Sequence, residues 1–175
     1  MNELIEALDN DNLVKIKSLL DSNIDLSKLV IIGEEYELDE PDEIPILFYA
    51  IRNRCSIEAI EFLLDYGIDI YMLDENGIST LDTAIKFRRE DVIKLCIERD
   101  FDLNRSSRRS GIKPLMLASC FGDMDIAKLL IDNGADINLK DSSGMTPKDY
   151  ARKLGQKKMQ EFLEKMGGEF GVYGD

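Results

Sequence analysis

The sequence predicts an all-α protein in which about five helix pairs, joined by hairpin turns, stack side by side as a solenoid. The first observation is that alanines recur at intervals of 34, 34 and 33 residues, at Ala50, Ala84, Ala118 and Ala151. The second is that leucines keep the same register, at Leu47, Leu81 and Leu115. The third is that glycines mark the turns before the last three copies, at Gly77, Gly111 and Gly144. A sustained period of this length is typical of a repeat architecture.

The clearest copy of the repeat runs from Gly111 to Asn138. Pro114 suits the first turn of a helix, where its fixed φ helps and its missing N–H is not needed. Gly122 ends that helix, and a second apolar helical stripe follows it until Asn133-Gly134. Neither short helix can bury its apolar face alone, so the unit requires copies of itself alongside.

This copy resembles an ankyrin repeat. The run Lys113-Pro114-Leu115-Met116-Leu117-Ala118 stands where the family reads Thr-Pro-Leu-His-x-Ala. The resemblance covers nearly the whole chain except residues 27–44 and the glycine-rich tail after Met166. It implies an ankyrin-repeat solenoid that binds other proteins without catalysis, through its turn tips and the exposed side of its first helices on a concave face.

The other copies depart from the pattern in particular ways. The amino end reads as a degenerate first copy, and the second copy carries one extra residue near Arg54. The third copy has Ser79-Thr80 at the helix start, where the Ser79 hydroxyl can cap, and Arg88 in place of the glycine between helices. The fifth copy places a lysine where leucine is expected. Its polar outer face, which a terminal repeat needs, is predicted to come from Lys148, Lys157, Lys158 and Glu161.

We expect a single ankyrin-repeat domain over residues 1–167, with an acidic insertion at about 27–44, followed by a flexible tail at 168–175. The net charge of −13 is concentrated early, because residues 1–45 contain 13 acidic and 3 basic side chains. Seven acids fall within the ten residues from Glu34 to Glu43. Such acidity argues against non-specific nucleic-acid binding, which needs a cationic surface.

Two interpretations of the insertion are open. Leu29-Val30-Ile31-Ile32 is apolar and β-prone, so the insertion can be an extended hairpin finger whose charges are simply solvated. Alternatively, the acidic run is a docking arm that steers a basic partner electrostatically.

The residue types needed for common catalytic sites are missing. The chain contains no histidine, which removes catalytic dyads and triads that use it and most zinc sites. Cys55, Cys96 and Cys120 fall in three different repeats, and no phosphate-binding Gly-x-x-x-x-Gly-Lys-Ser/Thr run occurs. We therefore expect no enzyme activity, no cofactor and no metal site.

The sequence also predicts the compartment. It has no apolar run long enough for a membrane span, and its start lacks the basic and apolar regions of a secretory signal. Three cysteines cannot all pair with one another, which favours a reduced compartment. We expect a cytoplasmic monomer.

The resemblance implies which residues face the binding groove. They are the second and third residues after each repeated alanine, ending with Lys153 and Leu154, together with the turn tips. The predicted partner-binding residues are Arg52, Asn53, Asp74, Asn76, Ile78, Lys86, Phe87, Arg105, Arg108, Arg109, Ile112, Cys120, Phe121 and Lys153.

Phe87 and Phe121 occupy equivalent positions in adjacent repeats, within a set of basic residues on an otherwise acidic chain. Adjacent exposed aromatics give large contact area at low entropic cost, so they are candidates for a binding hot spot. In the alternative interpretation, both rings turn into the core between helices and the arginines only increase solubility.

The function that the sequence favours is a non-catalytic protein–protein interaction module that binds another protein through the concave face. One alternative is an acidic inhibitor or immunity-type protein that masks a basic enzyme or toxin, because the acidity is concentrated in one segment. Another is a small enzyme on a repeat scaffold, for which the sequence contains no constellation of catalytic residues.

Overall fold

The computed structural model describes residues 1–32 and 42–171. Within these ranges ten helices form five consecutive pairs, which confirms the predicted all-α repeat solenoid. The helices are α1 Asn2–Asp9, α2 Leu13–Asp21, α3 Ile46–Arg52, α4 Ile57–Asp65, α5 Thr80–Lys86, α6 Glu90–Glu98, α7 Pro114–Phe121, α8 Met124–Asp132, α9 Pro147–Lys153 and α10 Lys157–Lys165. Two short strands, β1 Val30–Ile32 and β2 Asp42–Ile44, lie between α2 and α3.

The backbone contacts divide the chain into two compact units, Met1–Asp74 and Glu75–Asp175. The boundary falls between the second and third helix pairs. The single domain expected over residues 1–167 stays a prediction, and each unit is described by itself below.

In the first unit, α1 packs on α2, and α4 packs on both α2 and α3. Its core is aliphatic, with Leu4, Leu8, Ile16, Leu47 and Leu63 fully buried. The strands pair antiparallel, with Val30 opposite Ile44. This pairing starts a hairpin, as the first interpretation of the insertion expects. Residues 33–41, which carry most of the acidic run, lie outside the described residues.

In the second unit, the first helices of the three pairs lie in a row. Helix α7 packs on α5 on one side and on α9 on the other. Each of these helices packs against the second helix of its own pair, α6, α8 or α10. The repeated alanines of the row, Ala84, Ala118 and Ala151, have no exposed surface, and neither has Ala50 of α3. A small residue at these positions allows neighbouring helices to approach closely, which explains the alanine period in the sequence.

The turn between the two helices of a pair requires a left-handed residue. In the second unit, φ is +55° at Arg88, +66° at Gly122 and +70° at Gly155. Arg88 therefore adopts the left-handed backbone conformation of the glycines in the equivalent turns, as predicted. Left-handed backbone is unfavourable for a residue with a Cβ, so the arginine adds strain at this turn.

Five of the described helices, α2, α4, α5, α8 and α9, are capped by a side chain at their start. Ser79 Oγ accepts a hydrogen bond from the Asp82 amide at 3.1 Å, and Asp82 Oδ2 accepts one from the Ser79 amide at the same distance. Thr146 and Asp149 form the equivalent capping box at the start of α9. These reciprocal bonds satisfy amide groups that a helix start leaves without a partner.

The chain beyond α10 continues the repeat pattern over its next few residues. Asn104 Nδ2 donates to the Gly134 carbonyl at 3.0 Å, and its Oδ1 accepts from the Asp136 amide at 2.7 Å. Asn138 makes the same two bonds one repeat later, to the Gly167 carbonyl at 3.2 Å and from the Glu169 amide at 2.8 Å. Residues 167–169 therefore occupy in the fifth copy the place that residues 134–136 hold in the fourth.

One prediction for this end of the chain is untested and another needs correction. In residues 168–171 the Glu169 carbonyl accepts from Thr146 Oγ1 at 2.7 Å and the Gly171 amide donates to Asp149 Oδ2 at 2.7 Å, while the flexible tail expected at 168–175 stays a prediction. Residues 172–175 lie outside the described part. Lys148, expected on the polar outer face, is only 7% exposed, since its Nζ lies 4.3 Å from the centre of the Phe170 ring.

Candidate functional site

Five of the predicted binding residues of the second unit lie where the helices of the row end. We call this region the helix-end surface and define it by Lys86, Phe87, Cys120, Phe121, Lys153 and Leu154. Lys86 and Lys153 are the last residues of α5 and α9 and are followed by Phe87 and Leu154, whereas Cys120 and Phe121 are the last two residues of α7. Because α7 packs between α5 and α9, the three pairs are neighbours.

The two predicted aromatic residues differ in exposure. Phe121 is 49% exposed, whereas Phe87 is half-buried and follows the last residue of α5. The Lys86 ammonium lies 5.5 Å from the centre of the Phe87 ring, within the range of a cation–π contact. On the other side, Leu154 is 52% exposed. Phe121 and Leu154 are therefore the large apolar side chains that this surface presents to solvent.

Asp82 of α5 and Asp123, two residues after Phe121, are buried and already paired. Asp82 is 5% exposed and lies 3.3 Å from Arg108 Nε, and Asp123 is 6% exposed and lies 2.7 Å from Arg88 Nε. By contrast, within the described residues no carboxylate forms an ion pair with Lys86 or Lys153, and both side chains are exposed. The surface is thus locally cationic on a chain of net charge −13.

Cys120 lies between the cationic groups. Burial raises the pKa of its thiol to about 11, against the opposing effect of the nearby Lys153 and Arg108. The thiol is therefore protonated at neutral pH and is a poor nucleophile. Its carbonyl accepts a hydrogen bond from Gln156 Nε2 at 3.1 Å, which ties the end of α7 to the turn after α9.

The predicted turn-tip residues of the second unit are spread along the turns. Arg105, Arg109 and Asn76 are exposed, while Ile78, Arg108 and Ile112 are half-buried. Of these, Arg108 approaches the helix-end surface, because its charge acts on Cys120 while its Nε pairs with Asp82. The structure does not connect the others to the surface.

Three predicted residues belong to the first unit. Arg52 and Asn53 are exposed at the end of α3, and Asp74 is half-buried at the end of the unit. Asn53 Nδ2 donates to Asp9 Oδ1 at 3.2 Å, and the same oxygen accepts from the Tyr49 hydroxyl at 2.7 Å. Asn53 is therefore part of a hydrogen-bonded link between the first two helix pairs.

Sequence reasoning missed two contributors to the site. Arg88 neutralises the buried Asp123, and Gln156 bonds to the end of α7. Arg88 was noted only as a replacement for glycine, and no motif marks Gln156, because both act through contacts between neighbouring repeats.

Two further searches of the described residues bear on function. No group of three or more histidine, cysteine or acidic residues there is placed to hold a metal ion. None of the helices in that part of the chain has the length and apolar character needed to cross a membrane.

Comparison with known families agrees with the stacked helix pairs. The family described as ankyrin repeats (3 copies) matches residues 4–107 and 95–172. These matches extend over most of the chain, so the chain belongs to the ankyrin-repeat family. Members of this family are generally protein–protein interaction modules and are typically non-catalytic.

Several curated proteins are similar to this chain over their repeat segments. The E3 ubiquitin-protein ligase Ufd4 of Drosophila melanogaster is 32% identical over 69% of this chain, which corresponds to 4% of that protein. A putative ankyrin repeat protein of Rickettsia felis is 34% identical over 76% of this chain and 38% of its own length. The BTB/POZ domain and ankyrin repeat-containing protein NBCL of Lotus japonicus is 28% identical over 84% of this chain and 23% of its own length. The chain thus spans well under half of each of these relatives.

Proposed function

We propose that this chain is a non-catalytic protein-interaction module whose partner contacts the helix-end surface of the second unit. The observation that carries the proposal is the pair of half-exposed apolar side chains, Phe121 and Leu154, beside two lysines that no carboxylate of the described residues neutralises. This is the binding face predicted from the family resemblance, restricted here to the second unit.

The physical support comes from what an interface needs at its centre. Large apolar side chains that lose water on binding contribute most of the affinity, and surrounding polar groups keep water out. Phe121 and Leu154 each retain about half of their exposed area in the folded chain, so a partner can still remove that area from water. The neighbouring lysines favour a particular partner and orientation.

The two alternative functions have less support. A thiol-based enzyme at this surface requires a thiolate, and burial keeps the Cys120 thiol protonated at neutral pH. The acidic-inhibitor alternative depends on Glu34–Glu43, most of which lies outside the described residues. A cytoplasmic location and a monomeric state stay predictions from the sequence.

Site-specific photo-crosslinking tests the proposal. A benzophenone side chain is placed at residue 121 of the full chain and, as a control, at Lys128, an exposed residue of α8. Irradiation in a lysate of the source cells should yield a discrete cross-linked protein from position 121 and none from position 128. Excess unmodified chain should compete for the partner and reduce the yield of the cross-linked product. Mass spectrometry then identifies the cross-linked partner.

Equal labelling from both positions would indicate non-specific contact and contradict the proposal. A discrete product from position 128 alone would place the interface on the second helices instead.

A further inference from the structure

We propose that the segment recognised by the helix-end surface is an acidic stretch of a partner protein that carries one large apolar side chain between its carboxylates. This inference rests on the function proposed above and adds the chemistry of the partner. It follows from the order of charges and apolar groups along the row α5, α7 and α9.

The order is cation, apolar, cation. Lys86 lies in the last turn of α5 and Lys153 in the last turn of α9, while the end of α7 between them presents Phe121. Leu154 adds apolar area on the α9 side. A segment lying across the three helix ends therefore meets a positive charge at each end and an apolar contact at its middle.

The nearby acids do not cancel these charges. Asp82 and Asp123 each pair with an arginine, Arg108 and Arg88, and both carboxylates are buried. Asp141, a further acid of the second unit, accepts a hydrogen bond from the Tyr150 hydroxyl at 2.7 Å. A carboxylate that approaches from solvent thus meets Lys86 and Lys153 before it meets any of these acids.

Helix spacing sets the length of the segment. Packed helices lie about 8–10 Å apart, so the ends of α5 and α9 are separated by roughly 16–20 Å. An extended chain rises about 3.3 Å per residue, so a segment of roughly five or six residues spans that distance. The structure therefore favours carboxylates about five or six residues apart with a bulky apolar residue near the midpoint.

A basic segment and a nucleic acid fit this surface poorly. A basic segment would place its charges against Lys86 and Lys153. A nucleic acid draws its affinity from many cations that contact phosphates, whereas the helix-end surface contains two lysines.

Three synthetic peptides of about nine residues test the inference by nuclear magnetic resonance on the full ¹⁵N-labelled chain. The acidic probe has a pair of glutamates at each end, a central phenylalanine and glycine–serine spacers. The second peptide has lysines in place of the glutamates, and the third has alanine in place of the phenylalanine. The acidic probe should shift the amides of residues 86, 121, 153 and 154, and the other two should bind at least roughly tenfold more weakly.

Charge-reversed variants locate the contact. Lys86→Glu with Lys153→Glu should weaken the acidic probe roughly tenfold or more, and added salt should weaken its binding to the wild type. The matched control, Lys157→Glu with Lys158→Glu, makes the same change of net charge on the exposed start of α10 and should leave the affinity almost unchanged. A thermal melt of each variant confirms that it is folded.

Other outcomes overturn the inference in distinguishable ways. If the lysine peptide shifts the same amides with equal or higher affinity, the acidic partner is wrong while the helix-end surface stands as a binding site. If the same amides shift with protein concentration alone, the occupant is a second copy of this chain. If the acidic probe shifts none of these amides, the partner chemistry is wrong, and the cross-linking experiment decides the proposed function independently.

Discussion

Replacing Asn138 by alanine tests whether the residues after α10 are part of the folded repeat stack. Asn138 joins its own turn to Gly167 and Glu169 through two side-chain hydrogen bonds of 3.2 and 2.8 Å. A hydrogen bond between neutral groups contributes about 0.5–1.5 kcal/mol net, so losing both should cost about 1–3 kcal/mol. Asn138 is half-buried, which places the expected loss toward the lower part of that range.

Asn104 provides a matched comparison, because it makes the same pair of bonds one repeat earlier. Asn133 provides the control, since its exposed side chain donates only within its own helix end, to the Leu129 carbonyl at 2.8 Å. Urea unfolding followed by circular dichroism should show similar losses for Asn104→Ala and Asn138→Ala, and a smaller loss for Asn133→Ala. Because repeats can unfold in stages, hydrogen exchange of the α9 and α10 amides locates the loss.

The reasoning is refuted if Asn138→Ala matches the control while Asn104→Ala is destabilised. Residues 167–171 would then contribute nothing to stability in solution. Faster exchange confined to α1–α4 in Asn138→Ala would also contradict it, since the bonds lie at the other end of the chain.

Three further predictions concern stability. Arg54→Gly should raise the free energy of unfolding by about 0.5–1 kcal/mol, because relief of the left-handed strain at φ +59° exceeds the entropy that glycine adds to the unfolded chain; an unchanged urea midpoint would contradict this. Leu115→Ala should cost about 2–5 kcal/mol, because Leu115 is buried between neighbouring repeats. Asp91→Asn should destabilise the chain near neutral pH, because hydrogen bonds from Arg89 lower the pKa of Asp91 in the folded state. The Asp91 carboxylate stabilises the fold fully above the ordinary carboxyl pKa of 3.8, and this stabilisation is lost as the pH falls through the lower folded pKa. The difference in unfolding free energy between the variant and the wild type should therefore shrink in acid. A difference that grows in acid would refute the assignment.

The sequence was sufficient for the parts of the fold that depend on local pattern. The alanine period predicted which positions are fully buried, and Arg88 was correctly assigned to a turn that prefers glycine. Ser79 was correctly predicted to cap a helix. Each of these features depends on the local sequence of one repeat, so the repeat period and the capping residue were enough to predict it.

Contacts between distant residues were not predictable in the same way. A Cβ at Gly168 would lie 2.9 Å from the Leu163 carbonyl oxygen, so close packing explains a glycine that no sequence pattern marks. The burial of Lys148 depends on Phe170, 22 residues later in the sequence. Phe87 and Phe121 hold equivalent positions in the repeat, yet Phe87 is half-buried and Phe121 is exposed.

The measurement that tests the central claim most directly is the affinity of the cross-linked partner for Phe121→Ala, measured beside the wild type and Val14→Ala. Val14 is 83% exposed on α2 and serves as an exposed apolar control. Phe121→Ala should weaken binding by about 2 kcal/mol, roughly thirtyfold, as expected for a hot-spot residue, whereas Val14→Ala should bind like the wild type.

The same variant should lose only about 1 kcal/mol of stability, because about half of the Phe121 side chain is already exposed. Full affinity in Phe121→Ala would contradict the assignment of the helix-end surface as the binding site. A loss of about 3–5 kcal/mol of unfolding free energy would instead assign Phe121 to the core.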